Sequence, residues 1–337
     1  MKVAVTAQHR DMLDQVLGLF GIVPDYDLDL MQPEQTLASL TARVLTALEP
    51  VLEAEAPDLA IVQGDTTTTL AGSLAAFYRR IPIAHVEAGL RTGDMGQPFP
   101  EEMNRVLTAR LASMHFAPTA RAAEALAAEG IDCQRIFVTG NTGIDAVLYV
   151  RGQIESGAVA CHWPWLDESK HLVLVTSHRR ENFGAGIERV MSALARLASR
   201  PDVQLAYPVH RNPRVTEPAH RLLTGVPNIV LIDPLPYGSF VDLMRRCRFI
   251  LTDSGGIQEE APSLGRPVLV LREKTERPEA VEAGTVKVVG TDDARIVAEA
   301  IRLLDDPEEY ARMARTHNPY GDGRACEKIA SALKCHE

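Results

Sequence analysis

Apolar and polar positions change rhythm repeatedly along this chain. Short runs rich in Val, Ile, Leu and Ala, bounded by turn residues, recur at 3–7, 59–63, 81–86, 114–117 and 136–139. They recur again at 172–176, 203–207, 229–232, 249–252, 268–271 and 286–289. Between them lie stretches whose apolar residues return at three- and four-residue spacing. Over 35–53, Leu37, Leu40, Val44, Leu45 and Leu48 line one helical stripe, which Pro50 is expected to kink or end. Strands that alternate with helices belong to parallel sheets covered on both faces, so the pattern predicts an α/β protein. The period fails at 151–170, where Gly152, Gly157 and Trp163-Pro164-Trp165 read as an interdomain connection. The expected organisation is two doubly wound domains, with chemistry at the carboxyl ends of the strands.

Length agrees: 337 residues make about two domains at roughly 150 residues each. With 35 basic and 45 acidic residues the net charge is −10, and there is no long Lys/Arg run. Neither a nucleic acid nor an anionic membrane is an expected partner, and any anion must be met by local positive charge. No apolar run is long enough to span a bilayer, and the N-terminus lacks the form of a signal peptide. Cys133, Cys161, Cys247, Cys326 and Cys335 are scattered without a C-x-x-C, as expected of reduced thiols in a cytoplasm and not of a metal site.

The strand ends are polar, and differently so in the two halves. In the second half, Ser254-Gly255-Gly256 joins a strand to a helix, where glycine backbone and helix N–H groups attract phosphate. Glu260, inside that helix, could accept both hydroxyls of a ribose, while His178, Arg179 and Arg277 could surround a diphosphate. A tight turn with surface ion pairs would use the same residues. The first half offers carboxylates: Asp65 before four threonines, Glu87 directly after an apolar strand, and Glu101 at a helix start. Asp65 could instead be an N-cap, and Glu101 a surface partner of Arg105 four residues on. His85, just before Glu87 within the strand, reads as structural. A dinucleotide fingerprint is missing: Gly184-Ala185-Gly186 carries Arg189 at the third glycine position.

These segments together resemble a known family. Thr6-Ala7-Gln8-His9-Arg10, Gly64-Asp65-Thr66-Thr67-Thr68-Thr69, His85-Val86-Glu87-Ala88-Gly89-Leu90-Arg91-Thr92-Gly93 and Pro100-Glu101-Glu102-Met103-Asn104-Arg105 are similar to segments of the non-hydrolysing UDP-N-acetylglucosamine 2-epimerases. So are His178-Arg179-Arg180-Glu181-Asn182, Tyr207-Pro208-Val209-His210, the stretch from Asp253 to Ser263, Thr275-Glu276-Arg277-Pro278-Glu279-Ala280 and Asn318-Pro319-Tyr320-Gly321-Asp322-Gly323.

The resemblance implies a glycosyltransferase-B type fold: two Rossmann-like domains, 1–155 and 168–317, with the active site in the interdomain cleft. A C-terminal helix within 318–337 would pack back on the first domain. It further implies interconversion of UDP-GlcNAc and UDP-ManNAc without a cofactor, by a cytoplasmic homodimer serving cell-envelope polysaccharide synthesis. Asp65, Glu87 and Glu101 are then expected to move protons. His178 acts on the leaving UDP, and Ser254, Gly255, Gly256 and Arg277 hold it. Glu260 binds ribose, Phe240 packs near uracil, and Arg105 and His210 complete the substrate contacts. Gln8 and Arg179 are candidates for a second, effector site.

Two departures stand out. Family members begin with a further strand and a G-T-R-P-E-A-I-K loop before the point where this chain starts. The first βα unit is therefore expected to be missing, from a late-assigned start or a fragment, leaving an open strand edge beside 3–7. Leu235 stands where related sequences often carry Gln near the base. The alternatives are a transferase of the same architecture and an inactive nucleotide-sugar-binding chain.

Overall fold

The computed structural model describes residues 1–7, 10–32, 35–314 and 318–335. The chain forms two compact units, one of Met1–Thr142 with Gly323–Glu337 and the other of Gly143–Asp322. Among the described residues, no helix is long and apolar enough to cross a membrane.

The first unit contains β1 (Ala4–Val5), β2 (Tyr26–Asp27), β3 (Ala60–Gln63), β4 (Ile83–Val86), β5 (Met114–Ala117) and β6 (Ile136–Val138). All pairing is parallel, in a two-stranded sheet β1-β2 and a four-stranded sheet β3-β4-β5-β6. Among the described residues no strand joins these sheets, although Thr6 and Thr68 meet through their hydroxyls at 3.2 Å. β4 and β5 are buried along their whole length, which is why they read as largely apolar runs, each broken by one histidine, His85 and His115. The helix Ala325–Lys334 belongs to this unit, where Ile329 packs with Ala84, Val86, Met114 and Phe116.

One glycine here is required by close approach. A Cβ on Gly89, whose φ is +90°, would stand 2.2 Å from the Ala122 carbonyl oxygen. The turn after β4 can therefore pack on the helix Ala120–Ala128 only without a side chain.

The second unit contains β7 (His171–Thr176), β8 (Val203–Pro208), β9 (Ile229–Ile232), β10 (Phe249–Thr252), β11 (Val268–Val270) and β12 (Val286–Val288). They form one parallel sheet in the order β12-β11-β10-β7-β8-β9. The chain steps outward from β7 through β8 and β9, returns to β10 beside β7, and steps outward the other way. The β7/β10 pair is thus the topological switch point, the position at which open α/β sheets bind ligands. Val173, Val175, Leu205, Tyr207, Leu251 and Leu269 pack there against helices carrying Ile187, Met191, Leu194 and Ile296.

The structure departs from the pattern reading in two places. The helix Leu37–Glu55 does not end at Pro50 but continues for another turn. Pro50 and Thr46 are both exposed, so the carbonyl that loses its intrahelical donor faces water and the cost is small. The 3–7 run shortens to two residues, and β2 is a strand of two residues with no apolar period to announce it.

Candidate active site

In the second unit the switch point is organised by a carboxylate. Asp253, directly after β10 and fully buried, accepts from the Ser177 hydroxyl at 3.0 Å and the Asn182 amide at 3.2 Å. It also accepts from the backbone N–H of His178 at 2.9 Å and of Arg179 at 2.9 Å. One side chain therefore fixes the whole turn after β7. Its Oδ1 lies 3.3 Å from Nδ1 of His178, and the His178 ring stacks on that of His210 at 5.5 Å and 19°. Burial pushes the His178 pKa below its ordinary value; Arg179 and His210 push the same way and Asp253 opposes them.

The helix Gly255–Ser263 begins beside this turn, and its N-cap Ser254 makes no side-chain capping bond. The Nη2 atoms of Arg277 and Arg179 lie 3.5 and 3.8 Å from where a Cβ on Gly255 would stand. Two guanidiniums thus flank a helix N-terminus, an arrangement that binds phosphate oxygens. Arg277 is held by an ion pair with buried Glu259, which keeps it charged despite its own burial. Glu259 in turn is fixed through its carbonyl, which accepts from Asn318 at 2.8 Å.

Glu260 stands apart from these cations. It accepts from the Tyr237 hydroxyl at 3.2 Å, and burial, aided by Glu259, pushes its pKa up to about 8 against the Tyr237 bond. Phe240 lies on the same helix as Tyr237, Tyr237–Arg246, and is partly buried.

In the first unit the carboxylates occupy corners after β3 and β4. Asp65 does not cap the following helix Thr67–Tyr78; Thr66 does, accepting from the Thr69 N–H at 3.2 Å. The Asp65 carboxylate instead meets Arg105 at 2.8 Å, and its carbonyl accepts from the Asn104 amide at 2.9 Å. The helix Glu101–Leu111 thereby holds the corner with its buried face. Arg105 also lies 3.4 Å from Glu102, whose other oxygen accepts the backbone N–H groups of Thr92 and Gly93, each at 3.0 Å. Glu101 opens that helix, where negative charge is favourable.

Glu87 adopts φ +62°, a left-handed conformation that non-glycine residues rarely take. Its Oε2 is 3.6 Å from where a Cβ on Gly64 would stand, so the Glu87 carboxylate lies against the corner that carries Asp65. Arg91 anchors the following loop through a two-pronged pair with Glu129, at 2.6 and 3.0 Å.

Sequence reasoning placed weight on Ser254, Gly255, Gly256, Arg277 and His178, which the structure gathers at the switch point, and on Asp65, Glu87 and Arg105, which it gathers at one corner. Gln8 lies outside the described residues. Arg179, read as a second-site candidate, stands beside Arg277 at Gly255. The residues missed were Asp253, Asn182, Glu102, Asn104 and Tyr237. Asp253 had a signal, since it follows an apolar strand just as Glu87 does.

The geometry can be set beside known proteins. A family model described as UDP-N-acetylglucosamine 2-epimerase matches residues 1–334. The UDP-N-acetylglucosamine 2-epimerase of Escherichia coli K12 is 59% identical over 339 residues, covering 99% of this chain and 90% of that one. That of Salmonella typhimurium is 58% identical over 341 residues, covering 99% and 91%. The crystal structure of the Neisseria meningitidis UDP-GlcNAc 2-epimerase bound to UDP-GlcNAc is similar with a TM-score of 0.92. It is 47% identical, covering 99% of this chain and 91% of that one. A parallel α/β fold with a switch-point anion cradle, matched from end to end at this identity, leaves one assignment: the chain belongs to the UDP-N-acetylglucosamine 2-epimerase family.

Proposed function

We propose that this protein interconverts UDP-GlcNAc and UDP-ManNAc by eliminating UDP across C1–C2 of the sugar and adding it back. The C2 proton is not next to a carbonyl, so direct removal is very hard. When the C1–O bond breaks, UDP leaves with the electron pair, C1 becomes cation-like and C2–H becomes acidic. Loss of that proton gives the C1=C2 alkene, 2-acetamidoglucal. A proton delivered to the other face of C2, with UDP re-forming its bond at C1, completes the inversion.

The chain's own groups divide this work. The N-terminus of the helix Gly255–Ser263, Arg277, Arg179 and His178 suit a diphosphate whose charge grows as it departs. Glu260 suits the ribose hydroxyls, and Phe240 the base. Asp65 and Glu87 suit the two proton transfers, with Glu101 a third carboxylate on the helix that holds Asp65. The reading includes action in the cytoplasm as a homodimer, the form the family resemblance implies.

The observation that carries it over a transferase is the Asp65–Glu87 corner. Arg105, Asn104 and a left-handed backbone hold two carboxylates together, and diphosphate binding has no use for them. Proton NMR of the chain with UDP-GlcNAc in D₂O tests it. The C2 proton signal should vanish as UDP-ManNAc appears. UDP release that needs an added acceptor, with C2–H intact, would mean a transferase instead.

A further inference from the structure

His85 plays no part in the chemistry just described, yet its setting is unusual for a core residue. It lies in β4 with no exposed surface. Its Nε2 is 2.8 Å from the Gly64 carbonyl oxygen, an acceptor only, so Nε2 carries the hydrogen. Its Nδ1 has no hydrogen-bond partner among the described residues. A buried imidazole with one nitrogen unsatisfied is a poor choice for stability, since a leucine would fill the space without that desolvation cost. What the histidine does that leucine cannot is donate to Gly64.

Gly64 is the residue before Asp65, and both of its backbone groups are held by β4. Its N–H donates to the Val86 carbonyl at 3.0 Å, and its C=O accepts from His85. Val86 is the residue before Glu87. The two carboxylate-bearing corners are thereby tied to each other through Gly64, whose φ of +72° leaves it able to swing if one tie is lost. Resting on the epimerase reading above, we propose that His85 is a positioning residue: its Nε2–H to Gly64 sets the placement of Asp65 relative to Glu87. It touches no substrate and acts only through the backbone of the corner.

The test compares His85→Phe, His85→Gln and His85→Asn with the unaltered chain, following C2 proton exchange from UDP-GlcNAc in D₂O. Gln carries its amide nitrogen the same number of bonds from Cα as Nε2 of His. Asn carries it where Nδ1 was and cannot reach Gly64. Phe and Asn should lower kcat by about 10- to 100-fold, the scale of an ångström misplacement, with KM and UDP affinity unchanged. Gln should stay within about threefold of the unaltered chain, well inside that range. Full activity in Asn or Phe, or a Gln variant no better than Asn, would overturn the assignment of His85. Should Phe fail to fold, the Gln–Asn contrast decides alone. An unaltered chain that binds UDP but leaves C2–H in place would overturn the epimerase reading and this role with it.

Discussion

Glu260 offers a binding measurement whose size follows from the structure. Burial holds its pKa at about 8 in the free protein, so at pH 7 the carboxyl is protonated about ten to one. A ribose offers two hydroxyl donors, which need an ionised carboxylate to accept both. Binding UDP should therefore expel the proton, and affinity should climb with pH until the free carboxyl is itself ionised. If the bound carboxylate titrates near the ordinary Glu range, the gain from pH 6 to pH 8 is about 50-fold, or about 2 kcal/mol. Calorimetry of UDP binding in buffers of different ionisation enthalpy should find about 0.9 proton released at pH 7. UDP's terminal phosphate and His178 are also titratable, so Glu260→Gln is the control. It mimics the protonated acid, keeps an acceptor for Tyr237, and leaves the other two groups alone. The reasoning fails if the variant releases as many protons, and has the same pH slope, as the unaltered protein.

Two further outcomes follow. Replacing Asp253 with Ala strands its four donors in a buried turn and should cost about 3–5 kcal/mol, read as a lower urea midpoint with weakened UDP binding; an unshifted midpoint would mean the turn holds itself. Burial pushes both His85 and His115, opposite each other on β4 and β5, down to about 4, below the 6.5 of an unfolded histidine. The unfolded state then binds more protons between those values, so stability is lost as pH falls through that window. Going from pH 7 to pH 5 should cost about 2 kcal/mol per histidine, visible in amide exchange of β4 and β5, with His85→Gln recovering about half of the total.

Much of the fold was legible because strands of covered parallel sheets stay largely apolar. The runs at 114–117, 229–232 and 249–252 coincide with β5, β9 and β10. β2 was invisible because two residues carry no period. The chemistry was legible only as far as it is local. A Ser-Gly-Gly turn entering a helix announces an anion site in three residues. That Asp253 accepts from residues 71 to 76 positions away, or that Arg105 turns to Asp65 and not to Glu101, depends on which strands become neighbours. No spacing encodes it. Asp65 shows the limit well. A carboxylate before a threonine run has the form of an N-cap, and only the structure shows Thr66 capping and Asp65 left for Arg105.

Several features that contradict ordinary stability rules stand at strand ends. Glu87 holds a left-handed backbone worth about 1–3 kcal/mol of strain. His85, two residues before it, leaves a buried nitrogen unsatisfied, and Asp253 buries a whole carboxylate. Each is over-determined by its surroundings. Ala88 donates to the Phe116 carbonyl at 3.0 Å and Gly89 fits against Ala122, which together leave Glu87 little choice of φ. Apolar core positions such as Val173, Leu205 or Phe116 break no such rule. Cost placed at the carboxyl ends of strands beside the candidate acid/base and anion-binding groups, and braced there by neighbours, is what a catalytic constellation requires.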